Sequence, residues 1–342
     1  MIKTSMFKIL LLAITGFSVI NLSCKKQSSE EPILSTSPTF DDPIPYNLLG
    51  QGKLVFKRIG PLGNAYSRIN VIDIDQKRCW NIDCGSAMAP SVSPNGDKIA
   101  FMKWGTDQTI WDIYTMDIDG KNQIDITNLE GWEDFPSWSY DGTQILFSRD
   151  IFYSNTNYIH GLYHQSPVLN TSNLVQVLDY NKIGWAPFYL ANNGIVSSSS
   201  AGKLLLGPYT FDADGSNNKL VLPQDVNNDH KICSPAISPD GSKIAVLSFK
   251  MNSDIAVVLF NPDGTNPDTL VSVSATGISD WLGERNQVSL CWSPDGSKIA
   301  FTRPDGVEVG SHIYIIGTDH SGLTQVTSAE GVTDFSLSWS RK

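Results

Sequence analysis

Short apolar runs that follow compact polar turns recur along this 342-residue chain. Three nearly identical copies set the pattern: SPNGDKIAF at 93–101, SPDGSKIAV at 238–246 and SPDGSKIAF at 293–301. In each copy Ser and Pro begin a turn, Asp or Asn tolerates a bent backbone, and Gly accepts a positive φ. The Ile-Ala-Phe or Ile-Ala-Val run has the β-branched and apolar side chains of a buried strand. Each copy therefore predicts a turn that leads into a β-strand.

Weaker copies extend this repeat over the chain from residue 50 onward. GQGKLVF, SYDGTQILF and ANNGIV lie at 50–56, 139–147 and 191–196. Successive turn glycines are 44 to 55 residues apart; they are Gly52, Gly96, Gly142, Gly194, Gly241 and Gly296. A period of this size fits four short strands and their connections, which is one blade of a β-propeller. The sequence therefore predicts an all-β, six-bladed propeller over residues 49–342, folded as one domain.

The two ends of the chain carry complementary parts of one repeat. Residues 330–340, EGVTDFSLSWS, match EGWEDFPSWS at 130–139 with one extra residue. The turn and strand that should follow them are found at 50–56 instead. We therefore predict that the C-terminal strand pairs with the N-terminal blade and closes the ring, which removes two exposed sheet edges.

Three tryptophans, Trp138, Trp292 and Trp339, each precede the Ser that begins a turn. An aromatic side chain at this repeated position can pack between blades or can stack on a ligand. Because propeller blades are covered on both faces, we interpret these residues as core between neighbouring blades.

The first 23 residues have the pattern of a targeting signal. Lys3 and Lys8 precede an apolar run at 9–20, and Leu22-Ser23-Cys24 ends a zone of small residues. The segment resembles a bacterial lipoprotein signal peptide, which implies a lipid-modified Cys24 as the first mature residue. Asn21 stands where that family usually has Leu, so a plain secreted form is the alternative. Residues 24–48 are rich in Ser, Pro and charge, and they predict a flexible tether.

Acidic residues outnumber basic ones, and the formal net charge is −10. Nucleic acids and other polyanions need a basic surface, so this balance argues against a nucleic-acid partner. We expect a monomer that touches the membrane through its lipid anchor alone.

The repeat signature P-x-W-S-P-D-G-x-x-I-A-F, with an I-Y strand and a D-x-D-G turn after it, has its best copies at 90–101, 136–147, 235–246 and 291–301. On these residues the chain resembles the TolB-like, WD-repeat-like family of six-bladed propellers. The resemblance covers residues 50–342 and implies a periplasmic or cell-surface module that contacts an envelope protein or peptide. Similar propellers occur fused to serine hydrolases, but the sequence has no G-x-S-x-G motif.

Two acidic motifs are candidates for binding. Asp225, Asn227 and Asp229 form the Asp-x-Asn-x-Asp opening of a calcium loop, although His230 and Ala236 replace the Gly and Glu that such a loop has at its sixth and twelfth positions. A polar loop between blades is the alternative. Asp134 and Asp334 occupy matching places in the EGxxDF segments, where they either face the channel mouth and bind a cation or a basic partner residue, or cap backbone N–H groups.

Histidines and cysteines complete the candidates. His160 and His164 are four residues apart on an expected strand and share a face, so with His312 they are weak candidates for a transition-metal site. The alternative is that they are ordinary strand and loop residues. Cys79 and Cys84 have a spacing that is compatible with a local disulfide.

Two functions remain open at this point. The first is a non-enzymatic propeller that binds protein in the cell envelope, which needs no cofactor. The second is a carbohydrate-active enzyme that resembles oligogalacturonate lyase, in which a divalent metal is held by histidines at the channel. The sequence favours the first because it lacks a recognisable catalytic motif and has a tether.

Overall fold

The computed structural model describes residues 42–60, 63–105, 110–154, 157–168, 174–178, 188–189, 195–200, 205–211, 216, 219–220, 230–250, 254–274, 289–306 and 310–340. Contacts divide the chain into Met1–Glu31 and Pro32–Lys342, and the described residues belong to the second unit. Within the described residues, one four-residue helix, α1 (Tyr46–Leu49), accompanies twenty-four strands.

The strands are short and follow one another through tight turns. They are β1 (Lys53–Gly60), β2 (Gly63–Asp73), β3 (Arg78–Ile82), β4 (Met88–Val92), β5 (Lys98–Trp104), β6 (Trp111–Asp117), β7 (Ile124–Asp125), β8 (Trp132–Trp138), β9 (Ile145–Ser154), β10 (Asn157–Gln165), β11 (Val175–Leu178), β12 (Phe188–Tyr189), β13 (Ile195–Ser200), β14 (Leu205–Phe211), β15 (Lys219–Leu220), β16 (His230–Ile237), β17 (Ile244–Lys250), β18 (Asp254–Phe260), β19 (Asp268–Ser274), β20 (Leu290–Trp292), β21 (Lys298–Gly306), β22 (Gly310–Gly317), β23 (Thr324–Gln325) and β24 (Val332–Trp339).

These strands form four sheets of four strands and one sheet of eight, counted over the described part of the chain. The smaller sheets are β4–β7, β8–β11, β12–β15 and β16–β19, each with its strands in chain order. The larger sheet has the order β20-β21-β22-β24-β1-β2-β3, with β23 also beside β22. Pairing within it is antiparallel except for a two-residue parallel contact between β22 and β24. The all-β class predicted from the sequence is confirmed.

The repeated turns have the hydrogen bonds that their sequence predicts. In the turn before β5, the Gly96 amide donates to the Ser93 carbonyl at 2.9 Å, and the Lys98 amide donates to Ser93 Oγ at 3.0 Å. The same two bonds recur in the turns that begin at Ser139, Ser238 and Ser293. Gly96 has a φ of 72°, which a residue with a Cβ adopts only with strain. These turns set where the second strand of each sheet begins.

A β-bulge interrupts the first strand in four of the repeats. The bulged residue is not glycine, yet its φ lies between 48° and 56°; these residues are Ala89, Phe135, Ser234 and Ser336. The strand register shifts at each of them. Pro follows the bulged residue in three of the four. A bulge increases the local twist and redirects the side chains that follow, so it sets which residues face the space between the first strands.

Apolar clusters fill the space between neighbouring sheets. Trp138 lies with Ala100 and Phe147, and Trp292 lies with Ala236 and Phe301, in clusters that draw on two sheets or on adjacent repeats. Each indole also donates to a backbone carbonyl: Trp138 to Ser91 at 3.0 Å, Trp292 to Ala236 at 3.1 Å and Trp339 to Gln51 at 2.9 Å. The prediction that these tryptophans pack between repeats is confirmed.

The two ends of the described chain lie side by side. Strand β24 pairs with β1 in an antiparallel register that places Leu54 opposite Trp339 and Arg58 opposite Asp334. Leu54 and Leu337 are buried in one apolar cluster. The predicted contact between the C-terminal strand and the strand at 53–60 is therefore present.

Residues 42–49 form a segment that we call the N-terminal strap. The sequence predicted a tether as far as residue 48, but Ile44 and Tyr46 pack on the apolar cluster around Leu54 and Leu337. Leu49 is fully buried and Asp42 is 8% exposed. The pattern of Ser, Pro and charge concealed this packing because the partners of the strap's apolar residues lie far away in sequence.

Candidate functional site

The C-terminal ends of five first strands, β4, β8, β16, β20 and β24, meet around a cavity of about 100 Å³, which we call the turn-side mouth. Serines and tryptophans make up much of its lining, among them Ser91, Ser137, Ser338, Trp138, Trp292 and Trp339. The cavity lies where the chain leaves these strands for the repeated Ser-Pro turns, and Pro94 and Pro239 from two of those turns also line it.

The lining of the turn-side mouth is held in place by hydrogen bonds. The indoles are fixed by the carbonyl bonds described above, and Ser338 Oγ accepts the Val92 amide at 2.9 Å. Cys291 is the lining residue with a titratable side chain among those described, and burial raises the pKa of its thiol. The thiol therefore stays neutral, and the mouth offers hydroxyls, apolar surface and aromatic edges rather than acid–base chemistry.

A second cluster, the junction cluster, lies nearer the start of β24 and consists of Asp42, Arg58, Thr327, Ser328 and Asp334. Arg58 Nε and Nη2 donate to the two Asp334 oxygens at 2.6 and 2.8 Å, and Nη1 donates to Asp42 Oδ2 at 2.9 Å. Thr327 Oγ1 donates to Asp334 Oδ2 at 2.7 Å, while the Ser328 amide donates to Asp42 Oδ1. Both carboxylates have fully buried side chains. The cluster joins the strap, β1, β24 and the segment after β23.

Within the described residues, the Asp334 carboxylate is held by the Arg58 guanidinium and the Thr327 hydroxyl rather than by backbone N–H groups. Its place at a channel mouth stays a prediction. Asp134, at the matching place on β8, is buried at 8% exposed, and its carbonyl accepts Ser148 Oγ at 3.1 Å. The two aspartates lie on different sheets and do not form one site.

His312 on β22 is part of the same end of the molecule. Its Nδ1 lies 2.6 Å from Asp305 Oδ2, and its Nε2 lies 2.9 Å from the Ala329 carbonyl oxygen. Both partners can accept a hydrogen bond, so this geometry suits a ring that is protonated at both nitrogens. The hydrogen bond with Asp305 raises the pKa of His312, against the opposing effect of burial. In this arrangement both ring nitrogens of His312 are engaged within the protein, by Asp305 and by the Ala329 carbonyl.

The strand that carries His160 and His164, β10, belongs to a different sheet from β22. His164 on β10 lies with its Nδ1 3.2 Å from Gln144 Oε1, and burial lowers its pKa. The His160 side chain lies outside the described side chains. Over the residues that the structure describes, His, Cys, Asp and Glu form no group of three or more that could hold a metal ion.

Glu133 on β8 has a buried carboxyl with a strongly raised pKa. Its Oε1 accepts Arg149 Nε at 3.0 Å, and its side chain is fully buried. Burial raises the pKa of Glu133 to about 8; Arg149 lowers it and nearby Asp112 raises it further. Glu133 is adjacent to Asp134, yet the sequence analysis passed over it.

Several other candidates have simple outcomes. Asp225, Asn227, Asp229 and Cys24 lie outside the described residues. Cys79 and Cys84 are free thiols, so the disulfide that their spacing permits is absent. They contribute to different apolar clusters, Cys79 beside Leu54 and Cys84 beside Val55.

The sequence did contain a signal for the missed residues. In four repeats a basic residue lies two positions after the phenylalanine of the second strand. These residues are Arg58, Lys103, Arg149 and Arg303. The last three lie over tyrosine rings at 5.3 to 5.6 Å, and Arg58 lies over Phe56 at 5.6 Å. Alignment of the repeats would have identified this position.

No helix in the described chain combines the length and apolar character that crossing a bilayer requires.

Comparison with known proteins places these observations in a family context. The family model described as the dipeptidyl peptidase IV (DPP IV) N-terminal region matches residues 209–330. The Tol-Pal system protein TolB of Anaeromyxobacter dehalogenans is 30% identical over 132 residues, which are 38% of this chain and 26% of that protein. The chain thus spans about a quarter of the length of this curated relative.

Solved structures extend the likeness to most of the chain at the level of fold. TolB from Acinetobacter baumannii matches with a TM-score of 0.66 and 19% identity, over 85% of this chain and 67% of that one. An oligogalacturonate lyase in complex with manganese matches with a TM-score of 0.55 and 16% identity, over 81% of this chain and 74% of that one. Together with the curated relative, the match to the TolB structure confirms the TolB-like resemblance seen in the sequence.

Proposed function

We propose that this chain, TolB-like in its sequence and fold, is a non-enzymatic β-propeller that mediates protein–protein interaction in the bacterial cell envelope. The observation that carries the proposal is the turn-side mouth. Its lining is prearranged and combines tryptophan edges, prolines and serine hydroxyls, which suit the backbone and apolar side chains of a protein segment. The described lining offers no charged pair that would do acid–base chemistry.

The architecture that we propose is a closed ring of six blades. The eight-stranded sheet divides into β20–β23 and a set made of β24, β1, β2 and β3, because the strand pairing between these two groups in the described chain is limited to two residues. With the four smaller sheets this makes six groups of four strands. First strands in contact form the series β24, β4, β8, β12, β16, β20 and again β24, which supports closure.

We further propose that residues 1–23 are a lipoprotein signal peptide, that Cys24 is lipidated, and that residues up to 41 form a tether. The strap begins at Asp42, beside Asp334 near the start of β24, whereas the turn-side mouth lies at the end of that strand. Five residues of strand separate Asp334 from Trp339, or roughly 16 Å. A tethered domain would therefore present the mouth away from the tether's point of attachment.

A substitution at the mouth tests the interaction. Ser91→Arg would place a long charged side chain in the cavity, and the exposed Gln123→Arg, beside β7, is its matched control. Protein from solubilised envelope should be retained by the wild type and by Gln123→Arg, and lost with Ser91→Arg. Retention of no protein by the wild type, together with a bound metal and release of unsaturated uronide products, would replace the proposal with the lyase function.

The anchor has its own test. Cys24→Ala should abolish incorporation of labelled fatty acid and move the protein from the membrane fraction to the soluble fraction. Unchanged labelling would contradict the proposed anchor and leave the mouth's role untouched.

A further inference from the structure

The contact between β6 and β8 contains a buried carboxyl whose hydrogen bonding is incomplete. Glu133 Oε1 accepts Arg149 Nε, but Glu133 Oε2 has no hydrogen-bond donor within the described residues. Arg149 Nη2 donates instead to the Glu130 carbonyl at 2.7 Å, and the guanidinium lies over the Tyr163 ring at 5.5 Å. A buried oxygen that lacks a donor is costly unless it carries the proton itself.

Asp112 on β6 provides the acceptor for such a proton. Its side chain belongs to a residue that is 2% exposed, and its carboxyl lies within hydrogen-bond reach of Glu133. Two ionised carboxylates are acceptors alone and repel each other at this separation, so a hydrogen bond between them requires one proton. The surroundings of Glu133 thus fit a protonated carboxylic acid, which accepts a hydrogen bond from Arg149 and donates one to Asp112.

We propose that Glu133 and Asp112 share one proton across the β6–β8 contact, and that its loss as the pH rises loosens this contact. The pair is a pH-sensitive switch between two neighbouring sheets, and it stands independently of the proposed binding function. Glu133 lies near the start of β8, two residues before the bulge at Phe135. The end of the same strand lines the turn-side mouth, so a loosened contact would alter the support of that lining.

The charged groups around the pair agree with this assignment. Arg149 on β9 is the cation hydrogen-bonded to Glu133, and Asp134 and Asp150 are further buried acids on β8 and β9. Lys103 on β5 stands opposite Asp112, but its Nζ lies 3.4 Å from Gln123 Oε1 and over the Tyr114 ring. Burial and Asp112 favour retention of the proton and outweigh the opposing effect of Arg149, so the pKa of Glu133 is raised to about 8.

The direction of the effect follows from proton linkage. Because the folded protein holds this proton to a higher pH than the unfolded chain does, stability falls as the pH rises from the ordinary carboxyl value of 4.5 towards about 8. One retained proton makes the unfolding equilibrium constant rise about tenfold for each pH unit in that window.

Glu133→Gln tests the switch because the amide copies the protonated acid, accepting from Arg149 and donating to Asp112. Unfolding constants would be measured from about pH 6 to about pH 9 for the wild type, for this variant and for exposed Glu130→Gln as the control. Below about pH 8 the unfolding equilibrium constant of the wild type and of Glu130→Gln should rise with pH more steeply than that of Glu133→Gln. The difference should be about tenfold per pH unit. Parallel profiles for all three proteins would overturn the proposal.

An infrared measurement covers the case in which Glu133→Gln fails to fold. Glutamate labelled with carbon-13 in the wild-type protein should show a carboxylic-acid C=O band at neutral pH that disappears at alkaline pH. Glu130→Gln should keep the band. Its absence from the folded wild type at neutral pH would show that Glu133 is ionised and would reject its assignment as the proton donor to Asp112.

Discussion

The contact that joins the chain's ends and the contact between β6 and β8 begin from matching EGxxDF segments, yet they hold their charges in different ways. At the ends, Asp334 and Asp42 are both hydrogen-bonded to Arg58, and Thr327 completes the shell of Asp334. Between β6 and β8, Arg149 binds Glu133, and Asp112 stands close to the same carboxyl. The buried negative charge of the first contact is balanced by ion pairs, and that of the second is reduced by a retained proton.

Two substitutions within the repeat explain the difference. Thr333 stands where β8 has Glu133, and His312 stands where β6 has Asp112. At these two positions the end contact therefore has a threonine and a histidine that is hydrogen-bonded to Asp305, while the internal contact has two acids. Equivalent backbone positions can thus support an ionic lock or a titratable pair, depending on two side chains.

The largest expected effect comes from removal of the arginine in each contact. Arg58→Met leaves two carboxylates buried without their cation, and we expect it to destabilise the fold by about 3–5 kcal/mol. Arg149→Met should cost less, about 1–3 kcal/mol, because Glu133 already favours its neutral form. Denaturant unfolding of both variants measures the difference. Equal losses would contradict the distinction between the two contacts.

A smaller effect is expected from the indoles that brace each contact. Trp339→Phe leaves the Gln51 carbonyl without its donor, and Trp138→Phe does the same to the carbonyl of Ser91. Each should lower the free energy of unfolding by about 1–3 kcal/mol. Similar losses would show that aromatic packing is shared by the two contacts while charge is not; a loss confined to Trp339→Phe would mean that the ends depend on their indole more than the interior does.

The smallest effect concerns pH at the end contact. His312 has a raised pKa, so its contribution is complete below its ordinary value of 6.5 and is lost as the pH rises through the folded value. His312→Gln should therefore remove part of the stability loss above about pH 6.5. Thermal unfolding midpoints across this range, compared with those of exposed His320→Gln, measure the difference. An identical decline in both variants would exclude His312 as its source.

The sequence anticipated much of the fold and little of the site. Turns at Ser93 and Ser293 and the packing of Trp138 follow from local residue preferences and from repetition, so they could be predicted. Asp334 was singled out, but its partner was not, because Arg58 lies 276 residues away along the chain. Glu133 escaped notice because a carboxyl's burial and its neighbours are invisible in a linear pattern.

By itself, the sequence determined the strand-and-turn repeat, the places of the Gly turns and the apolar character of the core, because these depend on φ preferences and on side-chain size within a few residues. Tertiary structure alone decided which carboxylates are neutralised, which histidine is charged and where the strap docks. Those properties depend on desolvation and on charges brought together from distant strands, and neither exists until the sheets have packed.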